Sequence, residues 1–176
     1  QNKNTPTIAS HNFAEIDFDI SKENLPIITD ILSTRLYSNK PRSVLREYSA
    51  NAQDAHWMAG LDKSIEITLP TAMQSTLVIR DFGPGLTQEE IQTIYTRYGT
   101  STKRETNNAI GALGLGCKSA FSVAKSFNIL STTQSDRDTY VASISETGLP
   151  QLSHISNETN LDETNQSIHY TGMTIT

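Results

Sequence analysis

The sequence predicts an α+β domain, with helices packed against a mixed, mostly antiparallel sheet. Segments with helical periodicity cluster in the first part of the 176 residues, and short alternating or apolar segments cluster in the last part. That order favours separate helix and sheet layers over repeated βαβ units. Composition agrees: 36% hydrophobic and 19% charged residues are enough for one packed core and do not fit a disordered chain.

Residues 1–10 are polar and read as loosely ordered. Residues 11–19 alternate, with Phe13, Ile16 and Phe18 apolar, and read as a short strand. Residues 25–36 have helical periodicity, which Asn39-Lys40-Pro41 breaks. A second helix is expected over about 43–59, with Gly60 as its stop. Residues 64–69 and 76–80 read as a strand pair, followed by the turn Asp81-Phe82-Gly83-Pro84-Gly85. Thr87, with Glu90 three residues on, forms a capping box for a further helix. Residues 98–116 are rich in Gly, Ser, Thr and Asn and read as a long loop, and a helix is expected over about 117–125. Strands follow at 127–132, 139–145, 151–155 and 171–175, with a polar loop at 157–166. No linker divides the chain, so residues 1–176 read as one domain. The missing initiator Met and an end inside an apparent strand suggest the N-terminal part of a longer protein.

The formal net charge of −5 gives no general attraction to a phosphate backbone or anionic lipid, so nucleic acid is not expected as a partner. Cys117 is the sole cysteine, which excludes an internal disulfide and a thiolate zinc site and suits a reducing compartment. His11, His56, His154 and His169 show no close metal-ligand spacing.

Three motifs carry chemistry. In Arg46-Glu47-Tyr48-Ser49-Ala50-Asn51-Ala52-Gln53-Asp54-Ala55, the residues Glu47, Asn51 and Asp54 fall within a helical stripe roughly 60° wide at about 100° per residue. The apolar face of Val44, Leu45, Tyr48, Ala52, Ala55 and Ala59 borders that stripe. A carboxylate at such an edge can polarise a water, and Asn is a neutral oxygen ligand for Mg²⁺. An ordinary amphipathic helix would look the same. In the second motif, Asp81 at a strand end can accept a hydrogen bond from an exocyclic amine, while Gly83 and Gly85 allow close approach of a flat ligand. A plain strand-to-helix turn has the same composition.

The third motif is Gly111-Ala112-Leu113-Gly114-Leu115-Gly116-Cys117-Lys118. It fits neither a P-loop, because Cys117 separates Gly116 from Lys118, nor a dinucleotide fingerprint, because the spacing is Gly-x-x-Gly-x-Gly. Glycine-rich backbone entering a helix still favours an anion, and Lys118 adds a charge. Upstream, Thr100 and Ser101 offer hydroxyl donors beside Lys103 and Arg104.

In order and spacing, the three motifs resemble the N box, first glycine box and second glycine box of the GHKL ATPases, the superfamily of gyrase B, Hsp90, histidine kinases and MutL. The run to Ser119-Ala120-Phe121 is most similar to Hsp90. The resemblance implies a Bergerat-type two-layer sandwich, with helices on one sheet face and a mobile ATP lid at residues 98–111. It implies ATP and Mg²⁺ as cofactors and slow hydrolysis to ADP and phosphate. Glu47 would be the catalytic base and Asn51 the Mg²⁺ ligand. Asp81 would accept the adenine amino hydrogen, with Gly85 close to the base. Gly114, Leu115 and Gly116 would give backbone N–H groups to the phosphates, and Lys118 stands where some relatives place a phosphate-binding Lys. Asp54, Gly83, Leu86, Thr100, Ser101, Gly111, Cys117 and Thr174 complete the expected nucleotide-contacting set. The sequence departs from the pattern at the last strand, where Met173 follows Gly172 in place of the usual Thr, with Thr171 and Thr174 on either side, which leaves open which of the three meets adenine.

A narrower resemblance, over roughly residues 25–176, is to the rIIA-type lysis-inhibition family of bacteriophages. It rests on Leu36-Tyr37-Ser38-Asn39-Lys40, the Arg46-Glu47 helix, Asp81-Phe82-Gly83-Pro84-Gly85 and Gly114-Leu115-Gly116-Cys117-Lys118-Ser119. It implies a phage-encoded protein in the host bacterial cytoplasm, peripheral to the inner membrane. ATP-dependent homodimerisation and an unidentified protein partner are expected with it. A nucleotide-gated interaction module without turnover is the alternative.

Overall fold

The computed structural model describes residues 15–17, 39–96, 116–146, 150–159 and 171–176. The helix expected at 25–36, the loop expected at 98–116 apart from its last residue, and most of the loop expected at 157–166 lie outside them.

Seven described strands form one sheet: β1 (Glu15–Asp17), β2 (Glu66–Thr68), β3 (Val78–Arg80), β4 (Ser126–Thr132), β5 (Asp136–Ile144), β6 (Pro150–Thr159) and β7 (Gly172–Ile175). Their spatial order is β1-β6-β5-β4-β7-β3-β2. Every described pairing is antiparallel. β7, last in the chain, therefore lies between β3 and β4 and brings Gly172 and Met173 beside the end of β3. The polar stretch after 157 begins as strand: Asn157 to Thr159 continue β6, and Asn157 Nδ2 donates to the buried Asp138 Oδ1 at 2.8 Å, as His154 Nε2 does at 2.8 Å.

Helix α1 (Lys40–Met58) starts earlier than expected. Asn39 caps it, accepting the Arg42 N–H at 3.1 Å, and Pro41 sits in the first turn, where no intrahelical donor is needed. Gly60, at φ +65°, follows the helix end. Helix α2 (Gln88–Thr96) carries the expected capping box: Thr87 N–H donates to Glu90 Oε2 at 2.8 Å, and Glu90 N–H to Thr87 Oγ1 at 3.3 Å. The helix expected over 117–125 is a 3₁₀ helix, Gly116–Ser122, tighter and shorter than an α-helix.

Register divides the sheet into two faces. Ile79, Ile175, Ile129 and Tyr140 stand opposite one another across β3, β7, β4 and β5. Together with Phe127, Ala142 and Leu152 they meet Val44 and Tyr48 of α1, Ile91 and Tyr95 of α2, and Ala120 of the 3₁₀ helix in one core. Phe127 joins the layers. Its ring centroid lies 6.4 Å from Tyr48, 6.4 Å from Tyr95 and 5.0 Å from Phe121, one aromatic contact for each helical element. The other face carries Arg80, Thr174, Leu130 and Thr139 in the adjacent row. Among the described residues no helix is long and apolar enough to cross a membrane.

Candidate functional site

α1 lays its polar edge along the open side of the core. Glu47 and Asp54 are half-buried there, and Asn51, between them, is exposed. The Glu47 side chain is 16% accessible; Oε1 accepts from Arg46 Nη2 at 2.9 Å. Its Oε2 faces the second glycine run, since a Cβ on Gly116 would lie 3.0 Å from it. The next residues are pinned on two sides. Tyr48 donates its hydroxyl to the Cys117 carbonyl oxygen, which ties the run to α1. Cys117 Sγ lies 3.6 Å from the Ile94 carbonyl oxygen in the last turn of α2.

Lys118 follows the second glycine run directly after Cys117. It is fully buried, and Nζ donates to the Ile94 carbonyl oxygen at 2.8 Å, with Cys117 Sγ at 3.4 Å. The carbonyl end of α2 offers acceptors and negative potential that suit this ammonium.

The turn after β3 packs on the other end of the same helix edge. Asp81 is buried, and both of its recorded side-chain bonds fall on Oδ1, from Gly83 N–H at 2.9 Å and Met173 N–H at 3.2 Å. Burial raises its pKa above the usual aspartate value, against the pull of those two N–H groups. Gly83 lies against α1, where a Cβ would meet the Ala55 Cβ at 3.0 Å. Gly85 has φ +74°, and a Cβ there would sit 2.3 Å from the Thr132 carbonyl oxygen. The first glycine run is thus required by the approach of chain to chain, before any ligand is considered. Leu86 is half-buried, with its backbone N–H and C=O both bonded to the Ser131 hydroxyl at 2.8 and 2.7 Å.

Two contributors, His56 and Ser131, escaped sequence reading, and for Gly172 and Met173 the structure adds the geometry. His56 is buried and clamps the turn: Nδ1 donates to the Lys63 carbonyl oxygen at 2.7 Å, and Nε2 accepts the Phe82 N–H at 2.7 Å. Its spacing of four from Ala52 and eight from Tyr48 along the apolar stripe was the available signal. Ser131 looks like any strand serine until its register is known. Gly172 has φ +133°, and a Cβ would lie 2.2 Å from the Asp81 carbonyl oxygen. Met173 shares its face with Ser131 and bonds Asp81. Thr174 stands opposite Arg80 and Leu130 on the far face, and Met173 is the last-strand residue beside Asp81. Thr100, Ser101, Gly111, Gly114 and Leu115 lie outside the described residues.

Residues 37–171 match the family model of the histidine kinase-, DNA gyrase B- and HSP90-like ATPases. The chain belongs to this family. No curated protein matches it. Membership makes this an ATP-binding type of domain, and the layered α/β architecture with its antiparallel sheet is that of a GHKL ATPase.

Proposed function

We propose that this GHKL domain binds Mg²⁺-ATP along the polar edge of α1 and hydrolyses it slowly to ADP and phosphate. The observation that carries the reading is the attachment of both glycine runs to one helix edge: Gly116 at Glu47 and Gly83 at Ala55. Eight residues of helix separate those points, about 12 Å. Adenine would lie at the Asp81 end, where Oδ2 takes neither recorded bond, and the phosphates at the Glu47 end. Asn51 fits Mg²⁺ because it is an exposed neutral oxygen donor, and this ion keeps several waters alongside phosphate oxygens. Bound there, Mg²⁺ would neutralise phosphate charge. Glu47 would orient and deprotonate the attacking water. Gly114, Leu115 and Gly116 would hold the phosphates through backbone N–H groups.

Phosphate release from the wild type and Glu47→Ala tests the chemistry. We expect the variant to bind ATP normally and to lose turnover by roughly 10²-fold or more. Unchanged turnover would place the base elsewhere. One observation favours a second reading, a gated module without hydrolysis: Arg46 already holds the Glu47 carboxylate. ATP binding with no phosphate release in the wild type would select it.

The motif resemblance further supports a place in an rIIA-like phage lysis-inhibition protein in the host bacterium, acting in the cytoplasm at the inner membrane's periphery. Lid closure over residues 98–111 and ATP-dependent homodimerisation would transmit the signal to a protein partner. A dimer formed with a non-hydrolysable ATP analogue and absent with ADP would support that output; a monomer with both would remove it.

A further inference from the structure

His56 holds the turn at Asp81 through two bonds that only one form of its ring can make. The side chain lies in the last turn of α1, on the buried stripe that runs through Tyr48 and Ala52, and is 1% exposed. An imidazole there is costly unless both ring nitrogens are satisfied. Both are, and by main chain: Nδ1 lies 2.7 Å from the Lys63 carbonyl oxygen, and the Phe82 N–H donates to Nε2 at 2.7 Å. A carbonyl can only accept, and an amide N–H can only donate. The neutral ring with its proton on Nδ1 therefore suits both partners. The protonated ring has a donor on each nitrogen and loses Phe82.

The surroundings act in the same direction. Lys63 Nζ lies 3.2 Å and Arg80 Cζ 4.8 Å from the Phe82 ring centroid, and the imidazole lies beside that ring, 6.2 Å between centroids. A charge on His56 would thus join two cations. Asp81 is the acid within reach of that charge, but burial already pushes its carboxyl toward the neutral form. With both partners fixed in the main chain, the turn itself has to give way when the ring takes up a proton.

The part that gives way is the part that adenine needs. The Phe82 N–H belongs to the peptide that follows Asp81, and the next N–H, on Gly83, holds Asp81 Oδ1 at 2.9 Å. On its other side Asp81 is fixed by β7: its own N–H donates to the Met173 carbonyl oxygen at 2.9 Å, and Oδ1 accepts the Met173 N–H at 3.2 Å. Asp81 is set between two anchors, and the one on α1 depends on an imidazole staying neutral.

We infer, on the proposed ATP reading, that His56 is a positioning residue that makes nucleotide binding pH-gated: the neutral ring holds the turn in the form that accepts adenine, and protonation releases it.

The test is a calorimetric titration of ADP with Mg²⁺ between pH 7.5 and pH 5, in wild type, His56→Gln and His56→Asn. A Gln amide reaches as far as Nε2 and offers its oxygen to the Phe82 N–H, with no proton to gain. An Asn amide reaches only as far as Nδ1 and keeps the Lys63 bond alone. Wild-type affinity should fall by about tenfold or more toward pH 5, the scale of one lost buried hydrogen bond. His56→Gln should match wild type at pH 7.5 and fall clearly less, and any fall that it shares belongs to Asp81 or to the nucleotide. His56→Asn should be about tenfold weaker already at pH 7.5, with a cooperative melt. An equal fall in wild type and His56→Gln, or wild-type affinity in His56→Asn, would overturn the gate. The ring nitrogen resonances of wild type at pH 7.5 give a check that needs no variant: a proton on Nε2 in place of Nδ1 would overturn it too. No ADP binding in wild type at any pH would remove the ATP reading itself, whereas binding with the same pH profile in wild type and His56→Gln removes the gate alone.

Discussion

Asp81 is pulled in opposite directions by burial and by two backbone N–H groups, and burial prevails. A carboxyl whose folded pKa is raised contributes most to stability below its unfolded value, ordinarily 3.8, and loses that contribution as pH rises through the folded value. Asp81→Asn keeps an oxygen for the Gly83 and Met173 N–H groups but cannot ionise. The melting temperature of the variant relative to wild type should therefore be higher at pH 7 than at pH 3. A difference that is flat or reversed would mean that burial does not dominate. The turn at Asp81 and the glycines after it was legible from sequence because Asp and Gly at a strand end mark a change of direction. The contact of Lys118 with the Ile94 carbonyl was not legible, because that acceptor lies 24 residues away in sequence.

At the scale of elements, Phe127 decides whether the motifs meet. Glu47 rides on α1, the second glycine run on the 3₁₀ helix, and the Ile94 carbonyl on α2; Phe127 touches an aromatic ring from each of these three elements. Phe127→Ala should cost about 3–5 kcal/mol of unfolding free energy in denaturant melts, the range for large aromatic truncations in a core. A loss below about 1 kcal/mol would show that the three elements hold their places without it. The helices and strands themselves were largely legible, since α1, the capping box of α2 and the later strands follow local periodicity and capping chemistry. Their neighbours were not. β7 enters between β3 and β4, a pairing that no local pattern encodes. The choice between Met173 and Thr174 depends on that insertion, because one step along a strand changes the face.

For the whole molecule, a ligand that binds only the folded state stabilises it by mass action, about 2.7 kcal/mol at a hundred times its dissociation constant. In a domain of this size each kcal/mol moves the melting temperature by about 2–4 °C, so saturating ADP should raise it by about 5–11 °C. No shift at any ADP concentration would mean that the fold has kept the family's architecture without its ligand.

The most direct test of the central claim is a calorimetric titration of ATP, with Mg²⁺ and with GTP as competitor, into wild type and Asp81→Asn. The account predicts that wild type binds ATP in preference to GTP, because guanine presents a carbonyl where adenine presents its amine. It also predicts at least a tenfold loss in the variant, about 1.4 kcal/mol, because the amide turns a donor toward that amine. Equal ATP affinity in the two proteins would contradict it.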